Sequence, residues 1–162
     1  MADIYAFLEL EGIEGESQDS EYTNMIELSS FSWGASNHSS FSKGTGSGTN
    51  KGQIADIACS KHTCKASLKL MERTVTGEPF DSGKLTLLKL AGDKKIAYFQ
   101  IELKKVVLTS FHVSASGDGH LPMESFTLHF VEVQSHYKPQ SNEGDPLGNV
   151  DFGWNLQKNE AA

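Results

Sequence analysis

One stretch narrows the folds open to this chain more than any other: Leu121 to Gln140, LPMESFTLHFVEVQSHYKPQ. Apolar residues fall on even positions at Phe126, Leu128 and Phe130, then on odd positions at Val131, Val133 and Tyr137, with Glu132, Gln134 and His136 between them. A period of two is strand spacing, because successive side chains on a strand point to opposite faces. The change of phase means that the buried face swaps sides, as at a β-bulge or at a corner where one strand serves two sheets. At about 3.3 Å per residue, Glu124 to Tyr137 spans roughly 45 Å, against a usual strand of about 5–6 residues. We expect one segment shared by two sheets.

The rest of the chain supplies partners for it. ADIYAFLELE reads as a strand with Ile4, Ala6, Leu8 and Leu10 on one face and Tyr5 and Phe7 on the other. NMIELSSFSWGA reads as a second, carrying Ile26, Leu28, Phe31 and Trp33 and ended by Gly34. QIADIACSK (Gln53 to Lys61) alternates as a third, and KLTLLKLA (Lys84 to Ala91) turns through Gly92-Asp93 into Ile96 to Val113, where Lys104-Lys105 breaks the pattern and implies two strands or one bent one. SASGDGHLP is a Gly-rich loop, and FGWNLQKN is a short final strand with Phe152, Trp154 and Leu156 on one face. EGIEGESQDSEY, acidic at Glu11, Glu14, Glu16, Asp19 and Glu21, reads as a solvated loop, since a Ca²⁺ loop demands stricter oxygen spacing and a closing Glu.

Only one segment has helical period. Cys64, Leu68, Met71 and Val75 recur at i, i+4, i+7 and i+11 and are expected to face the core, with Thr63 or Ser60 as the cap, Gly77 at the end and Pro79 beyond it. About eight strands and one helix give a mainly β fold, a two-sheet β-barrel-like domain with one flanking α-helix. Cys59 and Cys64 bracket His62 as C-x₂-H-x-C, but a zinc site wants four ligands and no second pair follows. We read both as small buried hydrophobes, and cytoplasmic synthesis argues against a disulfide between them.

Ser36 to Gly52, SNHSSFSKGTGSGTNKG, has no strand or helix period. Its glycines give the backbone freedom that is lost on ordering. It departs from a phosphate-binding GxxxxGK[ST] loop, because Asn50 precedes Lys51 and Gly52 follows it. A long polar loop in a compact domain is commonly a functional contact, so we expect an arm. At 162 residues the chain buries about two-thirds of the surface its unfolded form exposes and needs no cofactor or metal to fold. A net charge of -7, from 14 Lys+Arg against 21 Asp+Glu, opposes a nucleic-acid partner. No run approaches a membrane span, and Asp3 and Glu9 sit where a signal peptide would be basic and apolar. Synthesis in the cytoplasm follows, and export would need another route.

Four phrases, IEGESQD (Ile13 to Asp19), FSWGASN (Phe31 to Asn37), LPMESFTLHF (Leu121 to Phe130) followed by YKPQ, and GWNL (Gly153 to Leu156), stand in an order and spacing that resembles the haemolysin-coregulated protein (Hcp) family, the tube subunits of bacterial type VI secretion systems. The resemblance runs from end to end and implies a single tube domain over 1–162. It also implies six-membered rings stacked into a hollow tube, a surrounding sheath, a spike protein at the tip, export to the extracellular space or a target cell, and small effectors in the lumen. The 36–52 segment is similar to the family's extended loop. Phe41 would then be its apolar anchor, Lys43 and Lys51 its charged contacts, and Gly44, Thr45, Gly46, Ser47, Gly48, Thr49 and Asn50 the adaptable backbone between them.

Strand faces apolar on both sides, at Tyr5/Phe7 and Val131/Val133, fit this, because surface that one small barrel cannot hide is available to a neighbouring copy. No enzyme is expected: His38, His62, His112, His120, His129 and His136 are scattered, and no G-x-S-x-G or H-E-x-x-H motif occurs. Ala162 closes the chain soon after the final strand, so no fused toxin domain is expected. The alternative is a monomeric β-barrel holding a small apolar ligand.

Overall fold

The structure is a computed structural model that describes residues 5–38, 51–139 and 148–162. Its elements are β1 (Tyr5–Leu10), β2 (Ile26–Leu28), β3 (Ser30–Ser32), β4 (Ala35–Ser36), β5 (Gln53–Ile54), β6 (Ile57–His62), α1 (Ser67–Thr76), β7 (Phe80–Ala91), β8 (Lys94–Ser114), β9 (Met123–Tyr137), β10 (Val150–Asn155) and β11 (Glu160–Ala161). The last strand expected from sequence is therefore a hairpin, β10 with β11.

β9 is shared as its alternation requires. One edge pairs with β8 along its whole length; the other pairs with β6 from Met123 to Leu128 and with β10 from Glu132 to Tyr137. Glu124, Phe126, Leu128 and Phe130 are buried, then Val133 and Ser135. β8 changes phase directly opposite, from Ile101 and Leu103 to Val106 and Leu108. Register holds across the change, with Lys104 facing Glu132 and Val106 facing Phe130. The swap is thus a corner rather than an inserted residue. Lys105 makes it by adopting φ 52°, a left-handed conformation that costs a non-glycine residue roughly 1–2 kcal/mol. β8 is one bent strand, broken in phase where the two lysines stand.

The pairing path runs β2, β1, β7, β8, β9, then β6 and β3. The ladder is not closed into a barrel. The covalent chain spans the remaining gap, since β2 and β3 are separated only by Ser29, whose N–H donates to the Ser60 carbonyl at 2.7 Å. Phe80, Phe126, Phe130, Leu8, Ile57 and Leu85 fill the interior. β7 and β8 turn through Gly92-Asp93, with Gly92 at φ 64° supplying the positive angle that a tight hairpin needs.

Three expectations need correction. The helix packs on β8 but buries Ala66, Ser67 and Leu70, leaving Leu68 78% and Val75 81% exposed. Neither Thr63 nor Ser60 caps it: Ala66 stands at the N-cap without a side-chain bond, while Gly77 closes the other end at φ 71° as expected. The reason is Ser67, whose hydroxyl is held in a buried polar network described below and turns the helix away from its apolar stripe. Second, the acidic segment after β1 is not simply solvated. Ile13, Gly15 and Ser17 are buried between exposed Glu14 and Glu16, and Gly15 and Ser17 donate to Asn24 and Met25 carbonyls at 2.7 and 3.1 Å. Third, the second face of β1 is covered by this chain itself. Phe7 stacks on Tyr22 at 4.9 Å, and Val133 is fully buried. The surplus apolar surface lies elsewhere.

Candidate assembly site

The segment expected from sequence to be an arm is flanked by a two-stranded ribbon. β4 and β5 pair antiparallel, Ala35 with Ile54 and Ser36 with Gln53. A Cβ on Gly52 would sit 2.8 Å from the Ser36 carbonyl oxygen, so glycine lets the two legs close on each other. Phe41, Lys43, Gly44, Thr45, Gly46, Ser47, Gly48, Thr49 and Asn50 lie outside the described residues. Lys51, at the returning leg, donates from Nζ to the Asn159 carbonyl at 2.7 Å, fastening the arm's base to the β10–β11 hairpin. Beside it opens a hollow of about 530 Å³ walled by Ile54, Phe130, Val131, Trp154 and Leu156, with Lys105 and His129 at its edge.

Large apolar side chains are exposed elsewhere too: Leu68, Met71 and Val75 on α1, Leu90 on β7, Val113, Leu121 and Met123 at the end of β8–β9 where α1 begins, and Tyr137, Val150 and Phe152 at the opposite end of β9. Separate apolar patches on one chain are what head-to-tail joining of identical copies needs.

Sequence reasoning missed a buried ion pair. Lys61 and Glu124 are cross-strand partners on β6 and β9, with side chains 0% and 1% exposed and Nζ 2.6 Å from Oε1. Lys61 also donates to Ser67 Oγ at 3.0 Å and the His62 carbonyl at 3.2 Å. Ser67 and Thr63 hydroxyls donate to the two Glu124 oxygens, each at 2.8 Å. Burial alone would raise the Glu124 pKa, but the bonds from Lys61, Ser67 and Thr63 outweigh it and hold the carboxyl below its ordinary 4.5. The network fixes the start of α1 to the sheet, and with it the direction in which Leu68 and Val75 point.

Histidines on β9 are engaged in structural pairs. His129 Nδ1 meets Asp56 at 2.8 Å, and Asp56 also accepts from Thr109 at 2.9 Å. His136 Nδ1 meets Asp151 at 2.7 Å across β9 and β10. The two rings bond to their own aspartates rather than to each other. A further cation, Lys95, clamps Asp19 of the acidic segment and lowers that carboxyl's pKa. Cys59 is buried and Cys64 half-buried, both unbridged. Among the described residues, no group of three or more His, Cys, Asp and Glu is placed to hold a metal ion, and no helix is long and apolar enough to cross a membrane.

Residues 7–137 match the family described as "Type VI secretion system effector, Hcp". The chain belongs to the Hcp family. Protein hcp1 of Pseudomonas aeruginosa is 32% identical over 157 residues, spanning 96% of this chain and 97% of that one. A solved structure of a type six secretion system protein superposes with a TM-score of 0.90 at 30% identity, covering 98% of this chain and 99% of its own. Hcp1 from Salmonella typhimurium gives a TM-score of 0.80 at 24% identity over the whole of both chains, a likeness that bears on fold alone. Hcp proteins are structural components of the type VI secretion system rather than a known enzyme family. Membership ties this chain to secretion by that apparatus.

Proposed function

We propose that this protein is a tube subunit. Six copies close into a ring, rings stack into a hollow tube within the sheath and behind a spike protein, and the tube is exported with small effectors in its lumen. Family membership across nearly the entire chain carries this reading. Large apolar side chains exposed at both ends of β9 and on α1, on a chain whose interior is already filled, support it, because ring closure joins one surface of each copy to a different surface of the next. The arm, from Phe41 to Lys51, serves ring-to-ring contact, and its anchored legs at Gly52 and Lys51 support that role. Neither the filled interior nor the open hollows favour a ligand-holding monomer.

Electron micrographs of the purified protein test the reading. Annular particles and short stacks are expected, and a field without annuli would remove it. Deleting Gly44 to Thr49 removes no core residue, so rings should persist while stacking fails. Tubes of normal length from that variant would strip the arm of its role.

A further inference from the structure

The densest unassigned chemistry lies where β6 runs into α1. Lys61 carries three N–H donors but has four acceptors in reach: Glu124 Oε1 at 2.6 Å, Ser67 Oγ at 3.0 Å, the His62 carbonyl at 3.2 Å and Cys64 Sγ at 3.4 Å. Sulfur is the farthest and the weakest acceptor of the four, so its hydrogen bond from the amine is the one most easily given up. Cys64 is half-buried and lines a hollow of about 320 Å³ with His62, Thr63 and Leu121, a route by which a small oxidant reaches the thiol. Cys59 offers the contrast inside one molecule. It is 1% exposed, and burial pushes its thiol up to about 12, which leaves it inert.

We propose that Lys61 and Cys64 form an oxidant-triggered covalent pair, in which a sulfenic acid on Cys64 is captured by the Lys61 amine as a sulfenamide. The oxidant is hydrogen peroxide. The Cys64 sulfur attacks one peroxide oxygen, the O–O bond breaks, the thiol proton passes to the departing oxygen, and the products are Cys64 sulfenic acid and water. Lys61 passes a proton to Glu124, and its freed lone pair attacks Sγ. The N–S bond forms as the S–O bond breaks, and the departing hydroxide takes a second proton from nitrogen to leave as water. One peroxide is reduced by two electrons to two waters, and the protein loses two hydrogens. The nitrogen is then uncharged. Glu124, now protonated, stays beside Ser67 and Thr63, but the ion pair is gone because both partners have become neutral, so oxidation beside the hollow loosens the anchor of α1.

The test uses the full chain. After peroxide treatment, trypsin should no longer cut after Lys61, so a fragment from Gly52 to Lys65 should appear at about 2 Da below the mass of that unmodified sequence, and dithiothreitol should restore cleavage into its two halves. Cys64→Ser should show neither change, while Cys59→Ser should keep both. The urea midpoint of the oxidised protein should fall and recover with dithiothreitol, and that of Cys64→Ser should not move. A gain of about 16 or 32 Da on Cys64 alone, a disulfide-linked dimer, or an unchanged fragment would overturn the proposal. A crosslink that leaves the midpoint in place would overturn its coupling to the helix.

Discussion

Replacing Lys61 with methionine removes the buried cation and keeps an apolar stem of similar length. Glu124 would then remain 3% exposed with no counter-charge. Breaking a buried pair by removing one partner costs about 3–5 kcal/mol. The lower end applies here, about 3 kcal/mol at pH 7, because Ser67 and Thr63 go on donating to the carboxylate. Lys65→Met is the control, since its ion pair with Glu14 is largely exposed and is worth about 0–1 kcal/mol. The pH dependence separates the two mechanisms. In the native protein Glu124 has a folded pKa below 4.5, so its contribution is present above the ordinary value and is lost as pH falls through the folded one. Without Lys61, burial dominates and the folded pKa rises above 4.5. The variant is then most stable in acid and weakens as pH climbs through that raised value. The gap to the native protein should therefore be widest near neutrality and shrink toward about pH 4. Urea titrations followed by Trp33 and Trp154 fluorescence measure it, at one fixed protein concentration because self-association shifts the midpoint. A loss below about 1 kcal/mol at pH 7, or a gap indifferent to pH, would refute the reasoning.

Other substitutions test the packing. Leu70→Ala should destabilise by about 2–5 kcal/mol, whereas Leu68→Ser should stay within about 0.5 kcal/mol in the isolated subunit; chemical denaturation of both variants decides which side of α1 is core. Gly15→Ala places a Cβ 2.3 Å from the Met25 carbonyl oxygen, so the strap from Glu11 to Met25 should lift or the domain lose about 1–3 kcal/mol, and a melting curve matching the native one would show that the close approach is absent. Trp154→Ala, at a partly buried ring packed on the core, should cost about 2 kcal/mol, and unchanged thermal stability would place that ring at the surface.

Period two carried most of what could be read without coordinates. The corner in β9, the break at Lys104-Lys105, the Gly92-Asp93 hairpin and the Gly77 stop each rest on a local rule that the surrounding fold does not override. The helix face failed because an apolar stripe is only one claimant on the core. Ser67 competes with Leu68 and wins through two hydrogen bonds to a buried pair and a third accepted from the Cys64 N–H. That pair left a trace in the alternation. Glu124 shares even parity with Phe126, Leu128 and Phe130, and Lys61 shares odd parity with Ile57 and Cys59, so strand spacing already points both charges inward. Treating charge as a mark of the surface hid it. Ile13, Gly15 and Ser17 were hidden among acidic neighbours in the same way. The ribbon that flanks the segment expected to be an arm was not legible, because two residues on each side have no period to detect.

The central claim is that copies of this chain complete one another in a ring, and particle mass tests it most directly. Light scattering at micromolar concentration should return about 106 kDa, six copies of a 17.7 kDa chain, or multiples of that mass where rings stack. A stable species of 17.7 kDa across the same range would contradict it.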